Sequence, residues 1–184
     1  MFRNGRKRLG ISEIITGKPL FIMNEIYTTE KTYIKNLIAL KEVFQDPMQA
    51  ILTYDDGFLK QQSVRIIFQN LREILELHQK IFTEMDRETK NGHVNGATIS
   101  SFLIGKYSAQ MLECYGPYMT SYDKKTEELL QLQKNEKFAQ FLTNQLSHEK
   151  CGGQPLDALL IRPIQRIPSL LLLYKGKRKF SSKK

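Results

Sequence analysis

The sequence LDALLIRPIQRIPSLLLLYKGKRKFSSKK, residues 156–184, begins as an apolar segment and ends in a run of lysine and serine. Two arginines lie in its apolar part. Arg162 has an apolar stem that can cross a helix surface and bring its guanidinium to the rim. Arg166 follows four residues later, and we expect it to pair with a carboxylate inside the protein. Residues 175–184 lack apolar periodicity, which predicts a solvated, basic and disordered tail.

The composition indicates one globular domain of moderate size. The 184 residues are 41% hydrophobic and 26% charged, enough to bury a sizeable core. The net charge of +9 is concentrated at the ends, because segment 1–20 carries +4 and segment 175–184 carries +6. Residues 21–174 are therefore close to neutral. This distribution argues against specific nucleic-acid binding, although the basic ends could touch an anionic membrane.

The sequence favours a cytoplasmic protein. No apolar run approaches the roughly 18 residues of a membrane span, and Glu13 interrupts the stretch that a signal peptide would need. Membrane association through the basic ends and a nuclear location are alternatives. In a reducing compartment, Cys114 and Cys151 are expected to be free thiols.

The periodicity is helical along most of the chain. Steps of three and four residues between apolar positions predict an opening helix over 21–44, with a stop at Asp46-Pro47. His78 lies on the apolar face of a second helix and is expected to be a buried core histidine. Further helices are predicted over 63–89, 98–115, 118–133 and 136–146, and from Leu156 onward, with breaks at KNGHVNGA (90–97), Gly116-Pro117 and CGGQP (151–155). No strand pattern appears, so the predicted fold is all-α, an elongated helical bundle.

The sequence contains no convincing catalytic or metal-binding motif. His148 and Cys151 have metal-like spacing, but one pair leaves a zinc site two ligands short. Gly105-Lys106 is not a phosphate-binding loop, because the earlier glycine is missing and Tyr107 replaces Ser or Thr. We therefore expect no catalytic residue, no metal and no cofactor, and a function that depends on binding.

Two stretches carry a family resemblance: NEIYTTEKTYIKNL (24–37) and LLIRPIQRIPSLLLL (159–173). In this order and separation they resemble the Dbl-homology domain of Rho guanine-nucleotide exchange factors (RhoGEF). The resemblance covers about residues 19–174, leaving 1–18 as a basic flanking segment. Within that family, the second stretch is most similar to the epithelial cell transforming (cytokinesis) exchange factor group.

The resemblance implies a Rho-family small GTPase as partner and exchange without covalent chemistry. In the family, the two motif helices lie side by side and hold the switch regions of the GTPase. The positions that would bind the GTPase here are Glu25, Thr29, Arg162, Ile164 and Gln165. The resemblance also implies that the family's final long helix is missing, which would weaken exchange and favour self-association or a helical partner.

Other interpretations remain at this stage. Glu25 could be a solvated carboxylate favoured by the helix dipole, and Arg162 could pair within the bundle. The chain as a whole could be a non-catalytic helical module that binds a GTPase or another partner without exchange. A basic adaptor for anionic lipid or nucleic acid is a third interpretation.

Overall fold

The computed structural model describes the backbone of residues 11–54, 57–90 and 105–181, and the side chains of 24–54, 57–90 and 105–172. These residues form helices and turns, and no strand occurs among them. The all-α prediction is confirmed. No helix in the described ranges is both long enough and apolar enough to cross a membrane.

The helices are nine α-helices with a π-helical and a 3-10 segment, counted over the described residues. Their order is α1 (Ile11–Ala39), the π-helical segment (Leu40–Gln45), α2 (Asp46–Tyr54), α3 (Gln61–Ile67), α4 (Leu71–Lys90), α5 (Ser108–Thr120), α6 (Tyr122–Leu132), α7 (Glu136–Leu146), the 3-10 segment (Glu149–Cys151), α8 (Leu156–Leu160) and α9 (Arg162–Ser181).

The opening helix does not stop at Asp46-Pro47, so that prediction is wrong. The π-helical segment passes directly into α2, and the Asp46 N–H donates to the Lys41 carbonyl five residues earlier. Pro47 is the second residue of α2 and follows the π-helical turn closely, so it lies within a continuous helical run. The Lys41 Nζ also contacts Asp46 Oδ2 at 2.7 Å across the same junction.

The predicted second helix is two helices. The break between α3 and α4 centres on Asn70, which has a left-handed φ of 60°. Asparagine tolerates this conformation better than most residues do. The carbonyls of Ile66, Ile67 and Gln69 near the break accept hydrogen bonds from the Lys125 ammonium of α6 at 3.1–3.3 Å. A distant side chain therefore satisfies the end of α3, which local periodicity cannot reveal.

Gly116-Pro117 does not end a helix, so the predicted break there is wrong. Helix α5 includes Pro117 and ends at Thr120. Tyr115 and Tyr118, on either side of the Gly116-Pro117 pair, are both buried, so packing holds the helix across the proline. The beginning of the predicted 98–115 helix, the predicted break at 91–97 and Phe102 lie outside the described residues.

The second half of the chain follows the predictions more closely until its end. Helix α7 has the predicted bounds, and the Asn135 side chain caps it by accepting from the Lys137 and Phe138 N–H groups. Gly152 and Gly153 form the predicted turn with positive φ values of 54° and 73°. Helix α9 continues to Ser181, so the prediction of disorder from Lys175 is wrong for 175–181. Lysine and arginine are good helix formers and are favoured near a helix C-terminus.

Helix α1 packs against both α4 and α9, and α5 packs against α4 and α9 on the other side of the core. The main core cluster extends from Tyr33 to Ile74 and on to Leu160. A smaller cluster around Ile26, Ile81 and Tyr107 continues the core toward the start of α1. This arrangement places the two motif helices next to each other.

Candidate functional site

Helices α1 and α9 lie antiparallel and form a two-helix face. The Lys150 ammonium contacts the Glu42 carboxylate, and the Arg166 guanidinium contacts the Glu30 carboxylate. Between these two contacts the residue number falls from 42 to 30 on the first segment and rises from 150 to 166 on the second, so the two segments run in opposite directions. Contacts between α8 and the π-helical segment fit the same direction. The Glu30–Arg166 contact fixes the level at which the two motifs meet.

Helix α1 has two flanks beside its buried stripe. On the α4 flank, Tyr27 donates a 3.0 Å hydrogen bond to Asp86 Oδ1, and its ring centroid is 4.8 Å from that of Phe82. Glu25 and Thr29, one turn apart, lie on the opposite flank, toward α9. The Glu25 side chain is exposed, whereas Thr29 is half-buried and donates to the Ile26 carbonyl at 3.1 Å. Glu25 is thus available to a partner.

The three predicted site residues on α9 have different surroundings. Gln165 is exposed. Ile164 is half-buried and packs against the main core cluster. Arg162 is also half-buried, and one of its terminal nitrogens donates to Gln154 Oε1 at 2.6 Å. Whether these residues touch a GTPase stays a prediction.

Glu25 and Arg162 lie at opposite ends of the two-helix face, too far apart for one side chain of a partner to contact both. Glu25 lies five residues before Glu30, and Arg162 lies four residues before Arg166. Because the helices are antiparallel, the two offsets add, and Glu25 and Arg162 are separated by about 13 Å along the helix axis. A partner would have to contact both ends of the face separately.

A buried polar network lies directly beneath this face. Glu30 is 1% exposed and contacts the Arg166 guanidinium through Oε2 and His78 Nδ1 through Oε1, the latter at 2.5 Å. Burial alone raises the pKa of Glu30, but the hydrogen bond and charge of His78 and the charge of Arg166 outweigh this, so the pKa falls below its usual value. The predictions of an internally paired Arg166 and a core His78 are confirmed.

Two tyrosines extend the network. The Tyr115 hydroxyl lies 2.6 Å from His78 Nε2 and 2.8 Å from the Tyr33 hydroxyl. The Arg166 guanidinium lies over the Tyr33 ring at 5.2 Å from its centroid. Burial raises the pKa of both phenols, so both stay protonated. The network joins α1, α4, α5 and α9 through buried side chains.

A second buried charge lies away from the face. Lys125 on α6 is fully buried, donates to three carbonyls near the end of α3, and lies 4.4 Å from the Tyr118 ring centroid. Burial lowers its pKa to about 8. The Tyr118 hydroxyl donates to the Leu160 carbonyl at 2.7 Å, which links α5 to the second motif.

Three residues of these contacts were not predicted from the sequence: Glu30, Gln154 and Lys125. Glu30 could have been found, because it lies four residues after Ile26 and three before Tyr33, on the buried stripe itself. Gln154 and Lys125 have no comparable signal, since their partners are defined only by the tertiary structure. Among the described residues no group of three or more His, Cys, Asp or Glu side chains could hold a metal ion.

The comparison with family models identifies the chain. The model described as RhoGEF domain matches residues 22–184. The chain belongs to the RhoGEF domain family. The match includes both motifs and also the residues that were predicted to form a tail.

The curated relatives agree with this assignment. The RhoGEF chain is 28% identical to human Protein ECT2 over 88% of its own length, which confirms the predicted similarity to the epithelial cell transforming group. It is 26% identical to Rac guanine nucleotide exchange factor JJ of Dictyostelium discoideum over 82% of its length. It spans only 18% and 12% of these two relatives.

Solved structures show the same fold. A structure of the Vav1 exchange factor matches with a TM-score of 0.74 and 26% identity, covering 86% of this chain and 40% of that one. The DH/PH fragment of PDZRHOGEF, solved in complex with human RhoA, matches with a TM-score of 0.73 and 20% identity, covering 84% and 43%. The helical bundle of the RhoGEF domain is therefore the fold of these exchange-factor domains.

Proposed function

We propose that the chain is a guanine-nucleotide exchange factor for a Rho-family small GTPase. Its proposed action is to bind the switch regions of the GTPase and remodel them so that the nucleotide leaves. The observation that carries the proposal is the two-helix face, in which both family motifs meet and present Glu25 and Gln165 to solvent. Membership of the RhoGEF family and a neighbour solved with RhoA support a GTPase as the partner.

The proposed mechanism is differential binding. The face binds the nucleotide-free GTPase more tightly than the loaded form, and this difference shifts the GTPase toward the conformation that releases nucleotide. Every step is a change of non-covalent contacts, and no cofactor is held by the exchange factor.

The site residues divide into direct and supporting roles. Glu25 and Gln165 are exposed and would make direct polar contacts with the switches. Arg162 would contact the partner from the far end of the face, with its guanidinium oriented by Gln154. Thr29 and Ile164 are half-buried, so their contacts would be made by the exposed parts of their side chains.

A nucleotide-release assay with purified Rho-family GTPases, RhoA among them, tests the proposal. Each GTPase is loaded with a fluorescent guanine nucleotide, and a small GTPase from another family serves as the control. We expect release from at least one Rho-family member to accelerate in proportion to the concentration of the chain, with the control unaffected. Tight binding of a nucleotide-free GTPase without faster release would instead show a non-catalytic binding module, and no binding at all would overturn the proposal.

A further inference from the structure

We propose that the Glu30–Arg166 pair, with His78 and Tyr115 behind it, is a register lock that positions α9 against α1 for nucleotide exchange. The inference rests on the proposed function. Glu30 follows Thr29 directly, and Arg166 follows Gln165 directly. The buried contact between Glu30 and Arg166 therefore determines which exposed residues of the two helices lie side by side.

The hydrogen bonds of the network connect Arg166, His78, Tyr115 and Tyr33 to Glu30. An ionised carboxylate only accepts, so Glu30 receives hydrogen bonds from Arg166 and from His78 Nδ1. The other ring nitrogen, His78 Nε2, is hydrogen-bonded to the Tyr115 hydroxyl, which is hydrogen-bonded in turn to the Tyr33 hydroxyl. This arrangement holds the carboxylate in one orientation and leaves it one position at which to meet Arg166.

Stability is a weak reason to bury such a pair. Removing two charges from water offsets most of their mutual attraction, and apolar replacements of similar volume are often as stable or more so. Apolar side chains, however, would tolerate α9 sliding along α1, because leucine and isoleucine pack in several registers. A charged pair of fixed geometry does not tolerate it. Specifying the register is thus the role that distinguishes this pair from an ordinary core contact.

The register matters because the face is shared between two helices. A slip of one helical turn moves the α9 residues by about 5.4 Å relative to α1. Glu25 and Thr29 would then be displaced against Gln165, and a partner could not contact both sets of residues in one geometry. A misplacement of about 1 Å in positioned groups can cost about 100-fold in rate. A small slip would therefore slow exchange more than it would change folding.

The test removes the charges of Glu30 and Arg166 together, so that an effect on nucleotide exchange can be told from an effect on folding stability. The variants are Arg166→Met, the double variant Glu30→Gln/Arg166→Met, and Arg166→Lys, which keeps the cation without the planar guanidinium. Phe138→Leu on α7 is the control, because Phe138 is fully buried but lies outside the network and outside the two-helix face. Melting temperature and the maximal rate of nucleotide release at saturating GTPase are measured for each.

We expect Arg166→Met to lower the melting temperature and the double variant to recover most of it. The maximal release rate of the double variant should stay at least tenfold below that of the native chain. The release rate of Arg166→Lys should lie between those of the double variant and the native chain. Phe138→Leu should release nucleotide at the native rate despite its lower stability. A double variant that is stable and releases nucleotide at the native rate would overturn the register lock, as would release rates that simply follow melting temperature across all variants.

A second readout keeps the inference testable if no GTPase responds. Spin labels at Lys31→Cys and Leu172→Cys, with Cys114 and Cys151 replaced by alanine, report the distance between α1 and α9. Lys31 and Leu172 are both exposed. The native pair should give one narrow distance distribution, and the double variant a broader or shifted one. Identical distributions would contradict the lock. A native chain that accelerates no GTPase would refute the proposed function instead.

Discussion

Glu25 and Glu30 lie five residues apart on α1, and their surroundings predict opposite consequences for mutation. Glu30→Ala leaves Arg166 and His78 in the core without their carboxylate, which should cost about 3–5 kcal/mol of unfolding free energy. Glu25→Ala removes an exposed charge and should change it by less than about 0.5 kcal/mol. Urea unfolding of both variants provides the measurement. Comparable losses would show that one of the two side chains is misplaced.

Lys125 should make stability rise with pH in the alkaline range. Its folded pKa of about 8 is below the unfolded value of 10.5, so between these values the unfolded chain binds more protons. The unfolding free energy contributed by Lys125 therefore increases from pH 8 upward, by about 1–2 kcal/mol at pH 9.5. Cysteine thiols and tyrosine phenols of the unfolded chain also titrate in or near this range, so the effect of Lys125 has to be isolated by a matched variant.

Urea unfolding at pH 7.5, 8.5 and 9.5 checks this for the native chain and for Lys125→Met, which keeps the side-chain volume. The difference between their unfolding free energies isolates the lysine, since all other titrating groups are shared. The unfolding free energy of the native chain minus that of Lys125→Met should increase as the pH rises. Parallel curves would mean that the buried ammonium keeps an ordinary pKa.

At the residue scale, buried polar side chains could be predicted from the sequence where they lie among apolar residues at helical spacing. His78 and Arg166 were identified as core residues because they lie on apolar faces. Glu30 was missed because a carboxylate is not counted in an apolar stripe, although its position lies on that stripe. Lys125 could not be found, because what stabilises it is a set of main-chain carbonyls at the end of α3, more than fifty residues away.

At the element scale, the end of α9 is where the structure and the sequence-based prediction differ most clearly. Its helix passes through Gly176, whereas the sequence alone predicts disorder there. Glycine within a helix costs about 1 kcal/mol relative to alanine, so Gly176→Ala should stabilise the chain by about 0.5–1 kcal/mol. Thermal unfolding followed by circular dichroism measures the change. No effect on either helicity or stability would favour the disordered tail.

Gly152→Ala is the matched control for that substitution. Gly152 has a φ of 54°, which costs an alanine about 1 kcal/mol or more, although no atom would clash with the new methyl group. The two alanine substitutions should therefore act in opposite directions. A stabilising Gly152→Ala would contradict the turn geometry before α8.

The same elements show where sequence patterns fail. Periodicity located the helices of the described residues well, but it misjudged the boundaries at Pro47, Asn70 and Pro117 and the extent of α9. Pro47 and Pro117 lie inside continuous helical structure, while the break at Asn70 has no proline or glycine near it. At Pro117 and Asn70 the deciding interaction is tertiary: buried Tyr115 and Tyr118 hold α5 together, and Lys125 satisfies the end of α3. At Pro47 it is local, because the Asp46 N–H bonds to the Lys41 carbonyl in the π-helical turn.

At the scale of the whole molecule, function depends on residues brought together across the chain. Glu30 and Arg166 are 136 positions apart, and no local pattern connects them. The pairing of α1 with α9 was foreseen because two motifs together resemble one family, not because either motif predicts the other by its chemistry. The register of the pairing, and with it the burial of Ile164 and the Arg162–Gln154 contact, required the structure.

The most direct test of the two-helix face compares two exposed charges on α1. Glu25 lies on the flank toward α9, whereas Lys31 lies about 120° around the helix. Losing a desolvated contact to the partner costs about 2 kcal/mol or more, while an exposed charge outside the contact costs little. The measurement is the rate of nucleotide release from the responsive GTPase at a subsaturating concentration of each variant. The proposed two-helix face predicts a loss of at least tenfold for Glu25→Ala and of less than twofold for Lys31→Ala. Native release with Glu25→Ala, or an equal loss with Lys31→Ala, would contradict it.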